Sequence, residues 1–277
     1  MFETDSQKVV TIRQKMDDDS LFAFFGGCNM TIQEFFARHP RAALAFSGGV
    51  DSAYLLYAGN TYGEDITAYY VKTEFQPQFE LDDAKRLACA LGAALKVLDL
   101  SVLGAPEVIR NGPRRCYYCK RVIFSAITEQ ARRDGYSLLL DGTNASDDAG
   151  DRPGMQALKE LSVRSPLREC GLTKEEIRQL SRSAGLFTWN KPAYACLATR
   201  IPTGTEITAA DLHITECAEA ALSQLGFSDF RVRKIGDTAK IQLPAAQIKE
   251  LLARRGEVVG TLKQYYKNIT LDLEARP

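Results

Sequence analysis

Short apolar runs alternate with longer amphipathic stretches along the first half of the chain. The apolar runs predict strands at 42–46, 66–71, 95–98 and 138–140. The stretches beside them predict helices at 31–38, near 54–57, at 80–91 and at 121–133. Thr31 with Glu34 forms a capping-box pattern at the start of the first of these helices. Strands that alternate with helices indicate an α/β fold, a parallel doubly wound sheet covered on both faces. Sites in such sheets form beyond the carboxyl ends of the strands.

The second half predicts a different organisation. Thr173 with Glu176 forms a capping-box pattern for a helix that ends at Ala184, and 189–204 shows no regular period. The remaining elements are predicted as helices at 209–225 and 245–254 and strands at 230–234, 239–243 and 270–273. We therefore expect an N-terminal extension at 1–30, a large α/β domain at 31–204 and a small α+β domain at 205–277.

Composition narrows the class of protein. The chain has 277 residues, and its 35 Lys and Arg balance its 35 Asp and Glu, which argues against a strongly basic nucleic-acid binder. Its apolar runs are short for a bilayer crossing, and the acidic run at 17–19 does not fit a signal or transit peptide. We therefore expect a cytoplasmic protein without membrane association, whose seven cysteines are reduced.

The first candidate site is the hexapeptide Ser47-Gly48-Gly49-Val50-Asp51-Ser52, which lies between a predicted strand and a predicted helix. Its glycines let the backbone turn sharply, and its hydroxyls and the first N–H groups of the helix attract an anion. No Lys-Ser or Lys-Thr pair follows the glycines, so this is not a Walker loop. The motif predicts a site for the pyrophosphate part of ATP with Mg²⁺ held by Asp51; the alternative is an ordinary strand–helix turn.

The second candidate site consists of cysteines. Cys116 and Cys119 form a C-x-x-C pair before a predicted helix, and Cys196 lies far downstream. Three thiolates suit an iron–sulfur cluster with one open iron, whereas a structural zinc site needs four ligands. A redox pair and half a zinc site remain alternatives. Basic neighbours, among them Arg115 and Arg200, are expected to lower the thiol pKa values.

Further polar residues complete the candidate site. Asn144, in the segment Asp141-Gly142-Thr143-Asn144 after a predicted strand, is expected to position the nucleotide or a carboxylate. Arg231 and Arg233 alternate along another strand, so they share one face and are expected to clamp a phosphate; a solvated strand face is the alternative. The other basic candidates are Lys120, Arg164 and Arg200.

Together these motifs resemble those of the LarE sulfur transferases, which are pyrophosphate-loop ATPases. The similarity spans about 31–255, and the segments that carry it are 47–52, 116–120, 141–144, 163–168, 189–202 and 231–237. Two positions depart from the family pattern, because Thr199 stands where Ser is common and Gln242 stands where an acidic residue is common. The second departure bears on any carboxylate metal site in the small domain.

The resemblance implies an AMP-forming sulfur transferase. Such enzymes adenylate a carboxylate of pyridinium-3,5-biscarboxylic acid mononucleotide and convert it to a thiocarboxylate for the nickel-pincer cofactor of lactate racemase. In one branch a cysteine matching Cys196 gives up its sulfur and becomes dehydroalanine; in another, three cysteines hold a [4Fe-4S] cluster with a labile sulfide. Cys116 and Cys119 beside Cys196 place the chain nearer the cluster branch. A small-molecule nucleotide substrate, ATP with Mg²⁺, Lys120 as the group that neutralises the adenylate, and a homo-oligomer are also implied.

Three rival functions are weighed against this one. A tRNA-thiolating enzyme of the same superfamily would need a basic surface, which the balanced charge disfavours. An amidotransferase-type synthetase or NAD synthase would leave the three cysteines unexplained. A zinc-stapled, non-catalytic nucleotide-binding protein would use the cysteines only for structure.

Overall fold

The computed structural model describes residues 30–147 and 153–276. Within them the chain forms two compact units. The larger unit comprises 30–72, 78–100, 120–147 and 153–191, and the smaller unit comprises 73–77, 101–119 and 192–276. The predicted extension at 1–30 lies outside the described residues except for Met30.

The strands and helices are as follows, in chain order. The strands are β1 (Arg41–Ala45), β2 (Asp65–Lys72), β3 (Ala94–Asp99), β4 (Leu139–Leu140), β5 (Arg231–Ile235), β6 (Thr238–Gln242) and β7 (Asn268–Leu271). The helices are α1 (Ile32–Arg38), α2 (Val50–Tyr62), α3 (Gln78–Leu91), α4 (Pro106–Ile109), α5 (Arg115–Arg133), α6 (Pro153–Glu160), α7 (Pro166–Glu169), α8 (Lys174–Ser183), α9 (Ala209–Gln224), α10 (Ala245–Ala253) and α11 (Arg255–Leu262). A short 3₁₀ helix covers Leu197–Arg200.

The larger unit is built on a parallel sheet with the strand order β3-β2-β1-β4. Side chains alternate between its two faces, so Leu44 and Tyr70 join one apolar cluster and Ala43 and Tyr69 join the other. Helices α1, α2, α3 and α8 contribute to the first cluster, and α5 and α6 contribute to the second. This confirms the predicted α/β sheet with both faces covered.

The order of the strands decides where a ligand can bind. Strand β1 lies between β2 and β4; the chain runs from β1 through β2 to β3 on one side and then returns from β3 to place β4 on the other side of β1. In parallel α/β sheets, a crevice opens beyond the carboxyl ends of the strands where the strand order reverses. The loop after β1 and the loop after β4 therefore meet at such a crevice.

The smaller unit has its own sheet, in the order β5-β6-β7. Strand β5 is antiparallel to β6, whereas β7 is parallel to β6. A separate apolar cluster, which includes Leu222, Val232, Ile241 and Leu262, packs this sheet against α9, α10 and α11. The sheet and these helices confirm the predicted small α+β fold.

Local chemistry explains the clearest helix boundaries. Thr31 and Glu34 form a capping box at α1, and Thr173 and Glu176 form one at α8, as predicted. Helix α5 begins at Arg115 rather than at 121, so the C-x-x-C pair lies within the helix and not before it. The helices α4, α6 and α7 begin at proline, a favoured first helical residue, but they are too short for a hydrophobic period to reveal them.

One further prediction concerns the membrane. Across 30–147 and 153–276, no helix combines the length and the apolar character that a bilayer crossing requires.

Candidate active site

The loop after β1 in the larger unit requires glycine at one position. Gly48 has a φ of +73°, a backbone conformation that residues with a Cβ rarely adopt. A Cβ there would lie 3.3 Å from the Cβ of Ala84 and 3.4 Å from the carbonyl oxygen of Glu80, both on α3. Helix α3 therefore packs directly on the loop, and the loop keeps its shape only with glycine at this position.

Two serine hydroxyls hold the loop from within. The Oγ atoms of Ser47 and Ser52 are 3.1 Å apart, and the Ser47 amide donates to Ser52 Oγ at 3.3 Å. Gly49 is the N-cap of α2 and offers no side chain to the first turn of that helix. An exposed serine and uncapped N–H groups at a helix N-terminus form a suitable site for an anion such as a phosphate.

The acidic residue of the loop, Asp51, has one occupied and one unpartnered oxygen. Its Oδ2 lies 2.6 Å from the Nζ of Lys174, the first residue of α8. Its Oδ1 is buried and has no hydrogen-bond partner. A buried carboxylate oxygen without a partner is costly, and a hard cation such as Mg²⁺ prefers oxygen ligands of this kind. The donor chemistry of Asp51 therefore fits the Mg²⁺ that the sequence predicts.

The loop after β4 contacts the beginning of α2. A Cβ added to Gly142 would lie 2.9 Å from the backbone nitrogen of Ser52 and 3.1 Å from its Cα. The carboxylate of Asp141 accepts hydrogen bonds from Thr143 Oγ1 and, at 2.6 Å, from Ser165 Oγ. The loop after β1 and the loop after β4 therefore lie against each other and can contact the same ligand.

We expect Gly142→Ala to disable ATP-dependent activity without unfolding the protein. The new methyl group would push the Ser52 backbone away from its position, and displacements near 1 Å in a reacting site cost about a hundredfold in rate. The measurement is the rate of AMP formation, with circular dichroism as the check on folding. Gly104→Ala is the matched control, because a Cβ at Gly104 meets nothing within 4 Å. An unchanged rate in Gly142→Ala would contradict the close packing of the two loops.

Three other predicted residues of the larger unit are placed as follows. Asn144 is buried, and its side-chain oxygen accepts from the amides of Ser146 and Asp147, so it shapes its own turn. The Arg164 guanidinium pairs with Glu169 and lies 2.7 Å from a ring nitrogen of His39. Lys120 packs beside Gly154 at the start of α6.

All three candidate cysteines belong to the smaller unit. Cys116 and Cys119 are one helical turn apart at the start of α5, and Cys196 immediately precedes the 3₁₀ helix. Phe75 connects the two segments, because its carbonyl accepts from the amide of Leu197 at 2.9 Å and its ring lies 5.9 Å from the Arg115 guanidinium. The same residue therefore contacts the neighbours of both thiol positions.

A buried arginine accompanies these thiols. Arg115 is 8% exposed, and its Nη2 donates to the Sγ of Cys116 at 3.4 Å. Its Nη1 is buried and has no hydrogen-bond partner. A buried guanidinium with an unpartnered nitrogen favours an anionic group nearby, such as a thiolate or a sulfide-bearing cluster.

The pKa of Cys196 corrects one expectation from the sequence. Burial raises the pKa of the Cys196 thiol above its usual value, and the charge of Cys116 adds to the rise. Arg115 and Arg200 oppose this shift but do not outweigh burial. The expected lowering of the pKa by basic neighbours is therefore wrong for Cys196, because desolvation disfavours the thiolate more than these guanidinium groups favour it.

The backbone around Cys196 is held by an ion pair. Arg200 is fully buried, with its Nε and Nη2 atoms 2.7 Å and 3.0 Å from the two carboxylate oxygens of Glu219. Its Nη1 donates to the carbonyl of Ala195 at 2.7 Å. Glu219 also accepts from Tyr194 Oη at 2.6 Å. This geometry places Arg200 beneath the Cys196 segment, where it supports the backbone.

Two further arginines next to this pair lack carboxylate partners. Arg231 is 7% exposed and donates to the carbonyls of Phe230 and Ala193. Burial, with repulsion from Arg200 and Arg276, lowers the pKa of Arg231 to about 10. The same causes lower the pKa of Arg233. Buried positive charge that lacks a carboxylate partner is the electrostatic condition for binding an anion.

Gln242 completes the surroundings of Arg233. Its Oε1 accepts from Arg233 Nε, while its Nε2 donates to Asp272 Oδ2 at 2.6 Å. Gln242 thus links Arg233 to Asp272, which itself pairs with Lys240 at 2.8 Å. Over the part of the chain that the structure describes, no three His, Cys, Asp or Glu side chains are arranged around a single metal ion.

Several residues of the site were not singled out as functional from the sequence. Lys174 lies 123 residues from Asp51, and Glu219 lies 19 residues from Arg200. Arg276 lies near the end of the chain, where its Nη2 pairs with Asp229 at 3.0 Å. No motif marks these positions, because long-range pairing rather than local spacing brings them to the site.

Comparison with known proteins adds to this geometry. The chain is 35% identical over 236 residues to the pyridinium-3,5-bisthiocarboxylic acid mononucleotide synthase of Lactiplantibacillus plantarum. The aligned region covers 84% of this chain and 86% of that protein. It is 36% identical over 247 residues to an uncharacterized protein of Synechocystis sp., over 88% and 92% of the two chains. A tRNA-specific 2-thiouridylase of Pseudothermotoga lettingae is 28% identical over 54% of each chain. No family model matches.

The strand–loop–helix geometry, together with the likeness to 2-thiouridylases, defines a pyrophosphate-loop ATPase fold. Within that class, the chain belongs to the LarE family of sulfur transferases and is an enzyme. The resemblance that the motifs predicted is therefore confirmed.

Proposed function

We propose that this enzyme adenylates a carboxylate of pyridinium-3,5-biscarboxylic acid mononucleotide with ATP and converts it to a thiocarboxylate for the nickel-pincer cofactor. The observation that carries the proposal is the match over most of the chain to a synthase of the bisthiocarboxylic acid mononucleotide. The strand–loop–helix anion site at the start of α2 supports it. Cys116, Cys119 and Cys196 form no disulfide, which suits a reducing cytoplasm.

Adenylation overcomes the low reactivity of a carboxylate. The substrate oxygen attacks the α-phosphorus of ATP and pyrophosphate leaves, which gives an acyl adenylate whose AMP departs readily. Ser47, Gly48, Gly49 and Ser52 would hold the pyrophosphate as its charge grows. Asp51 would hold Mg²⁺, which supplies charge neutralisation there. Asn144 fixes the turn beside these groups, and Lys120 would neutralise the adenylate.

Cys196 is the proposed sulfur carrier. Its thiolate attacks the acyl carbon and expels AMP, which forms a thioester; loss of the Cα proton to a base then breaks the Cβ–S bond. The products are the thiocarboxylate and a dehydroalanine at position 196. Arg200, through the carbonyl of Ala195, holds the backbone that carries this thiol. Because burial raises the pKa of Cys196, this route accelerates as the pH rises toward the pKa of the thiol.

A [4Fe-4S] cluster is the other proposed source of sulfur. Cys116, Cys119 and Cys196 would hold it, and when bound it would supply a sulfide. The unpartnered Nη1 of Arg115 beside Cys116 fits a group of negative charge at this place.

Arg231 and Arg233 would bind the phosphate of the substrate. We expect inorganic phosphate to raise the melting temperature of the protein, since a ligand present at a hundred times its Kd stabilises the folded state by about 2.7 kcal/mol. In Arg231→Met this rise should be smaller, because the buried cation is removed and only the loop after β1 still offers a site for phosphate. Differential scanning fluorimetry with and without phosphate measures the effect. Arg255→Met, which alters an exposed arginine of α11, should keep the full response.

Gln242→Glu provides a second variant in the same experiment. A carboxylate at this position would pair with Arg233 and reduce the phosphate response without removing an arginine. A phosphate response as large as that of the wild type in both Arg231→Met and Gln242→Glu would contradict the arginine site.

A second candidate function is tRNA thiolation, which the likeness to tRNA-specific 2-thiouridylases favours. The balanced charge of the chain argues against it. The test is AMP formation from ATP in the presence of either the dicarboxylate mononucleotide or bulk tRNA. If only the mononucleotide stimulates AMP formation, the proposed function is supported. If only tRNA stimulates AMP formation, the proposed function is wrong and tRNA thiolation takes its place.

A further inference from the structure

The pyrophosphate loop is short of positive charge. Between 42 and 71 the chain contains no lysine or arginine, although this segment includes the whole loop and helix α2. Asp51 adds a negative charge exactly where a polyanion would bind. The loop and its helix therefore offer N–H dipoles and hydroxyls to a phosphate but no side-chain cation.

A lysine from another helix, α8, supplies a positive charge beside the loop. Lys174 Nζ lies 2.6 Å from Asp51 Oδ2, and both side chains are partly exposed, at 35% and 23%. The exposure leaves the ammonium group accessible from the crevice above the loop. In Walker loops a lysine within the motif reaches the phosphates, and this loop has none of its own.

The surroundings hold the Lys174 backbone in place. Thr173 caps α8 through a complete capping box, so Lys174 is the first residue of a well-formed helix. Its amide donates to Ser146 Oγ at 2.9 Å, which ties it to the loop after β4. A fixed backbone and a flexible four-carbon side chain let the ammonium group reach either of two nearby oxygens.

We propose that Lys174 is the phosphate-binding lysine of this site, supplied from α8 rather than from the loop. Without nucleotide its ammonium group pairs with Asp51; with ATP bound, the ammonium group would turn to the phosphate oxygens and the Asp51 carboxylate would be left to hold Mg²⁺. The proposal rests on the proposed function only in requiring that ATP bind at this loop. It involves no covalent step.

Two measurements on Lys174→Met test this exchange of partners. The first is the binding of Mn²⁺ alone to the nucleotide-free protein, followed by electron paramagnetic resonance. Since no lysine then competes for Asp51, Mn²⁺ should bind about three- to fivefold more tightly than to the wild type. The second is AMP formation, in which kcat/KM for ATP should fall about 10- to 100-fold, because a charged hydrogen bond to phosphate is lost.

Matched variants separate this role from a merely structural one. Lys174→Arg keeps the charge and should retain AMP formation within about threefold of the wild type. Lys96→Met breaks another partly exposed ion pair of the larger unit, with Asp134 at 2.7 Å, and should match the wild type in both measurements. Lys174→Gln is a second neutral variant, to be used if Lys174→Met fails to fold. The same two results are expected of it.

The outcomes also distinguish this inference from the proposed function. If the wild type forms AMP and the neutral variants form it equally well, or bind Mn²⁺ no more tightly, the role of Lys174 is refuted while the proposed function stands. If the wild type itself forms no AMP although Mn²⁺ binds more tightly to the neutral variants, the proposed function fails and the pairing of Lys174 with Asp51 is retained.

Discussion

Glu219→Gln is expected to destabilise the protein by about 3–5 kcal/mol, the usual cost of leaving one member of a buried ion pair without its partner. Arg200 is fully buried, and Glu219 pairs with it through both carboxylate oxygens. Glu219 raises the pKa of Arg200 against the effect of burial, so Glu219→Gln removes the interaction that offsets the desolvation of this guanidinium. Chemical denaturation followed by circular dichroism measures the loss.

An exposed ion pair of the same unit supplies the control. Lys267 and Asp237 are 2.6 Å apart, but their side chains are 80% and 61% exposed. Solvent screens such pairs, so Asp237→Asn should leave the stability close to that of the wild type. If Glu219→Gln proved no more damaging than Asp237→Asn, the buried pair would not support the Cys196 segment as described.

Cys196→Ser should reduce thiocarboxylate formation by about a thousandfold or more, the scale seen when an essential nucleophile is removed. Serine is nearly isosteric, but its hydroxyl carries no sulfur and forms no thiolate. AMP formation should persist, because the loop proposed to bind ATP lies in the other unit and keeps all its residues. The measurement follows the thiolated nucleotide and AMP in the same reaction by mass spectrometry.

Two cysteine variants complete this experiment. Cys217→Ser removes a thiol of α9 that lies 3.7 Å from a ring nitrogen of His213, outside the proposed set, and should leave both products unchanged. Cys116→Ala should stop sulfur transfer only where a cluster supplies the sulfur. Thiocarboxylate formation at the wild-type rate in Cys196→Ser would contradict both proposed sources, since each requires this thiol.

Local patterns predicted much of the larger unit. The order of apolar runs predicted the parallel sheet, and the two capping boxes predicted the starts of α1 and α8. The hexapeptide predicted a strand–loop–helix turn, and Gly48 adopts the positive φ that such a turn needs. These features depend on residues close together in sequence, which is why spacing alone reveals them.

Features that depend on burial or on distant partners could not be predicted. The sequence shows basic residues near the cysteines, but not the desolvation that raises the pKa of Cys196. The sequence analysis counted Arg200 among the basic candidates for ligand binding, whereas in the structure its guanidinium pairs with Glu219. The start of α5 at Arg115 was missed because no cap or hydrophobic period marks it. Lys174 had no signal at all, since its partner Asp51 is 123 residues away.

The most direct test supplies the purified enzyme with ATP, Mg²⁺ and pyridinium-3,5-biscarboxylic acid mononucleotide without oxygen. The nucleotide product and the intact protein are then both analysed by mass spectrometry. A mononucleotide in which sulfur has replaced a carboxylate oxygen is predicted, with one AMP for each sulfur transferred. Protein lighter by the mass of hydrogen sulfide would identify Cys196 as the donor, and unchanged protein would identify the cluster. AMP formation with no sulfur in the nucleotide, or no reaction of this substrate at all, would contradict the proposed function.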